Sequence, residues 1–178
     1  MKKKIIHLRR KKIRTKKNSE KRNRIIAVSG GFDPVHVGHV RMFHAAKKIG
    51  NELVVILNND HWLRAKKGYA FMPDGQRKEI LEALRVVDRV VITDHFPNDT
   101  DVSVVRALKK IRPHIFGNGG DRKNERDIPE AIFCKENGIE MVFNLGVGGK
   151  IASSSHLATS AAKTLKHSRT SKKPSRRS

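Results

Sequence analysis

Two histidines in a glycine-bearing turn are the residues of this chain whose types and spacing best suit chemistry. They are His36 and His39, within the sequence Ser-Gly-Gly-Phe-Asp-Pro-Val-His-Val-Gly-His at residues 29–39. An apolar run precedes the turn and apolar residues recur at helical spacing after it, which predicts a buried strand, a turn and a helix in that order. Such a turn directs backbone N–H groups and a helix N-terminus at one point, where an anion binds readily.

The spacing of the two histidines predicts that they share a face of the first helical turn. Two imidazoles beside unpaired N–H donors suit a polyphosphate whose negative charge rises during a reaction. The alternative interpretation is an ordinary strand–helix turn that carries two solvated histidines. No metal ligand is assigned, because no clear third ligand accompanies His36 and His39 for zinc. The sequence also has no Gly-x-Ser-x-Gly turn of the kind that holds a serine nucleophile.

The elements that must position this turn alternate along residues 25–162. Short apolar runs predict strands, and amphipathic segments between them predict helices. Continuous apolar strands separated by helices are typical of a parallel sheet covered on both faces. We therefore predict an α/β fold, a Rossmann-like five-stranded parallel sheet with helices on both faces. The predicted strands are 25–28, 53–57, 89–92, 114–116 and 139–143, and the predicted helices are 40–49, 76–87, 102–111, 129–136 and 153–165.

Charge divides the chain into three parts. Residues 1–24 hold 13 Lys/Arg and one acid, and residues 163–178 hold seven Lys/Arg and no acid. The middle part, residues 25–162, carries a net charge of only +3 out of the total of +22. We predict one catalytic domain over 25–162, flanked by two basic, disordered tails. The basicity therefore does not by itself indicate a nucleic-acid-binding fold.

The tails leave more than one interpretation open. They are either solvated extensions or tethers to a polyanion such as RNA, DNA or an anionic membrane surface, and organellar or nuclear targeting by the N-terminal arm is a third reading. The apolar run at residues 5–8 is too short for a secretory signal, and no segment approaches the roughly 20 apolar residues of a membrane span. The single cysteine, Cys134, excludes an intrachain disulfide and fits a reducing, cytoplasmic location.

The sequence Gly-Phe-Asp-Pro-Val-His-Val-Gly-His, between a predicted strand and a predicted helix, resembles the His-x-Gly-His signature of the cytidylyltransferase-like nucleotidyltransferases. That superfamily includes glycerol-3-phosphate cytidylyltransferase, heptose-1-phosphate adenylyltransferase domains, phosphopantetheine adenylyltransferase and archaeal FAD synthetase. The resemblance implies that His36 and His39 donate hydrogen bonds to phosphate oxygens during catalysis. It also implies that further residues of the turn bind the nucleotide, namely Gly30, Gly31, Phe32 and Gly38.

A second matching segment is Arg-Ala-Lys-Lys-Gly at residues 64–68, which resembles the lysine-bearing loop of the family. Lys67 is the first choice for a catalytic contact with the phosphates, and Lys66 is the second choice, for substrate binding. A lysine on a mobile loop can close over a triphosphate and neutralise charge in the transition state. The alternative is an ordinary basic surface loop.

Two later segments resemble the base-binding and phosphate-binding parts of the family. Residues 115–122 resemble its glycine-rich segment, in which Gly119 and Asp121 approach the base and ribose. Residues 148–155 resemble its serine-rich segment, in which hydroxyl and N–H groups hold the terminal phosphates and Lys150 stands where an arginine is usual. The serines concerned are Ser153, Ser154 and Ser155.

Three single residues complete the predicted site. Arg77 matches a family arginine that either binds phosphate or pairs with an acid of the core, and the sequence leaves both readings open. Asp33 is assigned to the binding of the acceptor substrate. Trp62 either lines the acceptor pocket or covers the sheet edge.

The resemblance implies a nucleotidyltransferase that uses Mg²⁺, a nucleoside triphosphate and a phosphorylated small molecule. CTP with a glycerol-like phosphate is the first choice of substrates, ATP with a sugar 1-phosphate is the second, and ATP with FMN is the third. The family also makes a homodimer plausible. The rival hypothesis from another class is an inactive Rossmann-like module that binds nucleic acid or an anionic membrane through its basic tails.

Overall fold

The computed structural model describes residues 24–119, 128–146 and 153–170. Residues 1–23 and 171–178 of the two predicted tails, together with Asp121 and Lys150, lie outside the described residues. The described strands are β1 (Ile25–Gly30), β2 (Glu52–Leu57), β3 (Arg89–Ile92), β4 (Ile115–Gly119) and β5 (Glu140–Leu145). The described helices are α1 (Val37–Ile49), α2 (Asp60–Lys67), α3 (Asp74–Glu82), α4 (Val105–Ile111), α5 (Ala131–Glu136) and α6 (Ser154–Thr170).

The five strands form one parallel sheet in the order β3-β2-β1-β4-β5. Ala27 in β1 lies opposite Val54 of β2 and Phe116 of β4. The order therefore reverses between β1 and β4, and parallel sheets of this kind bind ligands beyond the carboxyl ends of the strands at that point. The predicted Rossmann-like α/β fold is confirmed, and β1 delivers the histidine turn to the place where a ligand is expected.

The two faces of the sheet carry separate apolar cores. Ile26 and Val28 point into one core, whose buried members include Phe43 of α1 and Leu81 of α3. The residue between them, Ala27, points into the other, because successive side chains of a strand alternate between faces. The second core also contains Val54, Leu108, Phe116 and Cys134. Cys134 therefore lies buried in helix α5 and packs in this core.

Several predicted element boundaries differ from those of the structure. The sequence pattern missed α2 altogether, since that helix buries only one residue, Leu63. Helix α3 ends at Glu82 instead of 87, because the chain enters a turn in which Val87 N–H donates to the Leu84 carbonyl while both residues still pack on the core. Helix α4 begins at Val105 instead of 102.

The last helix crosses the predicted domain boundary. Helix α6 runs to Thr170, eight residues beyond the predicted boundary at 162. No glycine or proline interrupts residues 153–170, so nothing in the local sequence ends the helix earlier. Within the residues that the structure describes, no helix has the length and apolar character needed to cross a membrane.

Candidate active site

The turn after β1 passes unusually close to neighbouring side chains, and its glycines make this possible. A Cβ on Gly31 would lie 2.7 Å from Leu63 of α2, and a Cβ on Gly30 would lie 3.0 Å from the ring of Phe32. Phe32 itself has a positive φ of 47°, and the Asp33–Pro34 peptide bond is cis. This turn joins the carboxyl end of β1 directly to α1, so the N-terminus of α1 lies at the carboxyl edge of the sheet.

The two histidines cap helix α1 reciprocally. His36 is the N-cap residue, and its Nδ1 accepts a hydrogen bond from Gly38 N–H at 3.1 Å. The Nδ1 of His39 accepts from His36 N–H at 3.3 Å. The two rings are stacked, with centroids 3.7 Å apart and planes 21° apart. The prediction that the two imidazoles lie together at a helix N-terminus agrees with this geometry, although His36 precedes the helix and does not belong to its first turn.

The capping bonds determine which ring nitrogen carries the proton. A nitrogen that accepts from a backbone N–H cannot itself be protonated, so each neutral ring bears its hydrogen on Nε2. Both histidines thereby become donors through Nε2. Gly38 is required for this arrangement, because a Cβ at that position would lie 2.9 Å from Cε1 of His36.

The electrostatic surroundings keep His39 neutral. Burial, then the neighbouring charges of His36 and Lys67, lower the pKa of His39 from the ordinary 6.5 to about 3. Burial also lowers the pKa of His36. A neutral imidazole that has already lost most of its hydration can donate a hydrogen bond to an anion at little further desolvation cost.

Phe32 packs against His39 from the buried side of the turn. Its ring is buried, meets the His39 ring edge-on at a centroid distance of 4.9 Å, and packs against Phe43 at 5.3 Å. The aromatic side chain predicted to bind nucleotide is therefore part of the core, where it orients the imidazole.

Lys66 and Lys67 lie in the last turn of helix α2, so the prediction of a mobile lysine-bearing loop is wrong. Gly68 ends the helix in a left-handed conformation with φ of 81°. Lys66 is exposed and Lys67 is half-buried. Burial lowers the pKa of Lys67, the charge of Asp33 raises it, and the charge of Arg77 lowers it. Lys67 lies one helical turn after Leu63, the α2 residue that packs against Gly31, so it is on the side of α2 that faces the histidine turn.

Arg77 is fully buried next to the histidine turn, where its guanidinium connects several segments of the chain. Its guanidinium donates to the carbonyls of Gly31, Asn58 and Met72 at 2.6–2.9 Å, and to Asp60 Oδ1 at 2.6 Å. Its exposed fraction is 0%. Of the two readings that the sequence left open, the structure gives the ion pair with an acid of the core, and the assignment of Arg77 to nucleotide binding is corrected accordingly.

Asp33 is a second buried anchor, with 2% of its surface exposed. Its two carboxylate oxygens accept hydrogen bonds from the backbone N–H groups of Phe71 and Met72, at 2.6 and 2.8 Å. The carboxylate thus ties the segment after α2 to the histidine turn. These contacts correct the assignment of Asp33 to acceptor binding.

The serine-rich segment reaches the same turn from the other end of the chain. Ser154 Oγ donates to the Pro34 carbonyl at 2.9 Å. Ser153 caps α6, since its Oγ accepts from His156 N–H at 3.1 Å, while Ser155 is exposed. Two helix N-termini, of α1 and α6, therefore converge on one point, which increases its affinity for anions.

The remaining predicted residues lie around this point. Gly119 ends β4 against α1, where a Cβ would lie 2.6 Å from the Met42 sulfur. Asp121 lies outside the described residues. Trp62 donates from Nε1 to the Val102 carbonyl in the loop before α4, at 2.8 Å.

Sequence reasoning missed the residues that anchor helix α2. Asn59 caps this helix by accepting from Trp62 N–H, and its Nδ2 donates to the His95 carbonyl at 2.7 Å. Asn59 N–H also donates to Thr93 Oγ1. A signal was present, because an asparagine ahead of a short segment that ends in Lys-Lys-Gly is typical of a capped helix.

No protein group in the described residues forms a ready metal site. Groups of three or more His, Cys, Asp or Glu side chains arranged for a metal are absent from this part of the chain. The two nearby carboxylates, Asp33 and Asp60, are already engaged by backbone amides and by Arg77.

The fold and this site define an α/β protein with a histidine-bearing turn between β1 and α1, where the strand order of its parallel sheet reverses. Comparisons with known proteins agree with this description. The model of the cytidylyltransferase-like family matches residues 27–132, more than half of the chain. The chain therefore belongs to the cytidylyltransferase-like family.

Individual relatives cover the chain to different extents. The chain is 38% identical over 104 residues to FAD synthase of Thermococcus sibiricus, covering 57% of this chain and 67% of that one. It is 36% identical over 98 residues to FAD synthase of Pyrococcus abyssi, covering 54% and 63%. It is 38% identical over 120 residues to the bifunctional protein HldE of Streptomyces coelicolor, covering 66% of this chain but only 24% of HldE.

A solved structure shares the fold. This structure is the lipopolysaccharide core biosynthesis protein from Thermoplasma volcanium, which is 24% identical in sequence. The superposition has a TM-score of 0.58 and covers 70% of this chain and 98% of that one. At this identity the likeness concerns the fold alone.

Proposed function

We propose that the protein is a nucleotidyltransferase, which joins a nucleoside monophosphate from a nucleoside triphosphate to a phosphorylated small molecule and releases pyrophosphate. The observation that carries this proposal is the stacked pair of His36 and His39 at the N-terminus of α1, whose Nδ1 atoms accept backbone N–H groups and whose Nε2 atoms therefore remain as donors. An anion whose charge increases during reaction is the ligand that such an arrangement stabilises best.

The reaction is an in-line displacement at phosphorus. An oxygen of the acceptor's phosphate forms a bond to the α-phosphorus, and the bond from the α-phosphorus to the oxygen that bridges it to the β-phosphorus breaks. Such a step needs positioning and charge stabilisation more than covalent catalysis. His36 and His39 donate to the phosphate oxygens that gain charge, and no proton has to leave either ring.

Lys67 and the α6 terminus take the leaving group. Lys67 supplies positive charge from the end of α2, and this helix is held to the histidine turn by Arg77, which bonds both Asp60 at the start of α2 and the Gly31 carbonyl. The backbone of Ser154 and Ser155 offers N–H groups at the start of α6. Together they hold the departing pyrophosphate in line with the attacking oxygen.

Mg²⁺ fits this site as the partner of the triphosphate. The neighbouring carboxylates are engaged, and Mg²⁺ commonly keeps water and phosphate oxygens as most of its ligands. When bound, the ion would neutralise charge on the pyrophosphate. The protein groups that would accompany it are Lys67 and the serine-rich segment, which hold the same phosphates.

The relatives favour ATP as the donor. Several are named FAD synthase, and FAD consists of AMP joined to flavin mononucleotide, which is a phosphorylated acceptor. We therefore propose ATP with FMN or a sugar phosphate as the first pair of substrates to test, and CTP with a glycerol-like phosphate as the second. The predicted homodimer, cytoplasmic location and polyanion contact of the tails stay predictions.

Pyrophosphate release by the full-length protein tests the proposal. ATP and CTP are offered separately, with Mg²⁺, against FMN and a panel of phosphorylated sugars and polyols, and the His39→Asn variant is the control. Release that requires one donor–acceptor pair and is lost in His39→Asn supports the proposal and names both substrates. Triphosphate hydrolysis without any acceptor dependence, or release that survives His39→Asn unchanged, contradicts it.

A further inference from the structure

A buried histidine that the proposed reaction does not use follows strand β3. His95 is 5% exposed, and both of its ring nitrogens have hydrogen-bond partners. Nε2 lies 3.1 Å from the Ser103 carbonyl oxygen, and Nδ1 lies 2.9 Å from Thr93 Oγ1. Because β3, β2 and β1 are parallel neighbours, His95 lies at the same carboxyl edge of the sheet as the histidine turn.

The partners of His95 determine the direction of each hydrogen bond. A carbonyl oxygen only accepts, so Nε2 of His95 carries a proton and donates to Ser103. In the neutral ring, Nδ1 then accepts from the Thr93 hydroxyl. Thr93 Oγ1 in turn accepts from the Asn59 N–H at 3.0 Å. These bonds form one continuous chain from the loop after β3 to Asn59.

Asn59 connects this chain of hydrogen bonds to the N-terminus of helix α2. Its Oδ1 accepts from the Trp62 N–H at 3.0 Å, which caps the helix, and its Nδ2 donates to the His95 carbonyl at 2.7 Å. Asn59 is buried, and these bonds engage its backbone N–H and both polar atoms of its side chain. A change at His95 therefore alters the surroundings of the residue that fixes the first turn of α2.

Polar bonds matter more for α2 than for a helix with a broad apolar face. Leu63 is the one buried residue of this helix, and Arg77 holds its first turn through Asp60. Arg77 also bonds the Gly31 carbonyl, which follows β1, whereas His95 follows β3. Since β2 lies between β1 and β3, these two anchors hold the helix that follows β2 from both sides.

We infer that His95 is a positioning residue for Lys67 and acts through the cap of α2. The inference rests on the role proposed above for Lys67, which is to hold the leaving pyrophosphate. The eight residues of α2 extend about 12 Å from the cap to Lys67. A small change in the direction of the helix axis at the cap therefore produces a larger displacement of the ammonium. Misplacement by about 1 Å is enough to slow a reaction that depends on positioning.

The loop that carries His95 contacts α2 a second time. Trp62 Nε1 donates to the Val102 carbonyl at 2.8 Å, next to the Ser103 carbonyl that His95 bonds. The loop is itself held in shape, since Asp101 Oδ1 accepts from the Ser103 N–H at 2.9 Å. Trp62 is the single tryptophan of the chain. Its fluorescence therefore reports on the contact between this loop and α2 without a measurement of activity.

Two variants of the full-length protein remove links of this chain of hydrogen bonds. His95→Leu removes both ring bonds. Thr93→Val removes one hydroxyl with almost no change of shape, and it replaces His95→Leu in each measurement if that variant does not fold. Thr93→Ser keeps the hydroxyl and is the matched conservative variant. Ile139→Val is the control for a general loss of stability, because Ile139 is buried just before β5, at the opposite side of the sheet from β3.

The tryptophan emission and the kinetics are expected to change together. In His95→Leu and Thr93→Val the emission should shift to longer wavelength and be quenched more strongly by acrylamide, whereas Thr93→Ser and Ile139→Val should match the wild type. With the donor–acceptor pair that the wild type uses, His95→Leu should lower kcat/KM about fivefold. In a Lys67→Gln background the same replacement should lower kcat/KM by less than about twofold, because the lysine that it positions is absent.

Three results would overturn the inference. Unchanged tryptophan emission in His95→Leu would show that this residue does not hold α2 against the loop. Equal losses of kcat/KM in the wild-type and Lys67→Gln backgrounds would show that it does not act through Lys67. A Thr93→Ser variant as impaired as Thr93→Val would show that the hydroxyl is not the link. A wild type without turnover on any pair would instead count against the proposed function, and the tryptophan emission alone would then decide whether His95 positions α2.

Discussion

The candidate active site has a histidine side, residues 29–39, and a lysine side, which consists of Lys67 with Asp33 and Arg77. These two sides are built by different kinds of contact. The histidine side arises within eleven consecutive residues, 29–39, whose backbone and rings cap one another. On the lysine side, Arg77 and Asp33 bridge segments 38 or more residues apart through buried polar contacts. The comparison indicates that the proposed catalytic histidines are positioned by local contacts, whereas the position of Lys67, which we propose assists them, depends on contacts between distant segments.

The largest expected effect is a loss of stability on replacing Arg77, the buried residue that joins the segments of the lysine side. Arg77→Met leaves Asp60 and three backbone carbonyls without their donor, and a broken buried ion pair costs about 3–5 kcal/mol. We expect a loss of that size in the free energy of unfolding, measured by urea denaturation with fluorescence of the single tryptophan. A loss below about 1 kcal/mol would mean that the lysine side does not depend on Arg77.

Asp33→Asn should also lower the free energy of unfolding, by less than Arg77→Met, and it tests the anchoring role of Asp33. The amide cannot accept from both Phe71 and Met72, so one buried N–H loses its partner, at about 1–3 kcal/mol. Asp74→Asn is the matched control, because that carboxylate accepts one longer bond, 3.3 Å from Asp60 N–H. The two variants would be compared by thermal and urea unfolding, and equal losses would contradict an anchoring role for Asp33.

Lys67→Gln should impair catalysis without impairing the fold. Removal of the half-buried ammonium beside the turn should lower kcat/KM by about tenfold or more, equivalent to about 1.4 kcal/mol. Lys66→Gln should have a smaller effect, since Lys66 is exposed. Steady-state kinetics of both variants decide between the two lysines, and a larger loss for Lys66→Gln would reverse the assignment.

The histidine side predicts that stability falls with decreasing pH, by a small amount near neutral pH and by more at lower pH. Burial and neighbouring charge lower the pKa of His39 to about 3 in the folded protein, below its ordinary 6.5. The unfolded chain therefore binds the extra proton first, and stability falls as the pH drops from 6.5 towards 3. Between pH 7 and 6 we expect His39 to contribute a loss below about 1 kcal/mol. His39→Asn should reduce this dependence in urea titrations, and an unchanged dependence would contradict a buried neutral His39.

The local side of the site could be predicted from the sequence, and the distant side could not. Residues 29–39 show a strand, a glycine turn and two histidines in one window, so their arrangement needs no knowledge of the rest of the chain. The hydrophobic pattern does not indicate helix α2, because this helix buries only Leu63 and is otherwise polar. Its capping residue Asn59 was the available signal.

The roles of buried polar residues were the hardest to foresee. Asp33 looks like a substrate ligand because it adjoins His36, yet its carboxylate is taken by two amides nearly 40 residues away. Arg77 pairs with Asp60, which follows β2, and also bonds the Gly31 carbonyl, which follows β1. These two positions are close because the carboxyl ends of β1 and β2 lie side by side at one edge of the sheet. Such choices follow from topology, which a local sequence pattern does not specify.

The most direct test of the central claim is the turnover of His39→Asn. Asparagine can still accept from His36 N–H, as His39 Nδ1 does, but it has no donor at the position of Nε2. With the donor–acceptor pair that the wild type uses, kcat should fall by about 10²–10³-fold, as for loss of one preorganised donor, while the melting temperature stays near that of the wild type. Near-normal turnover in the folded variant would contradict the role of the stacked histidines in nucleotidyl transfer.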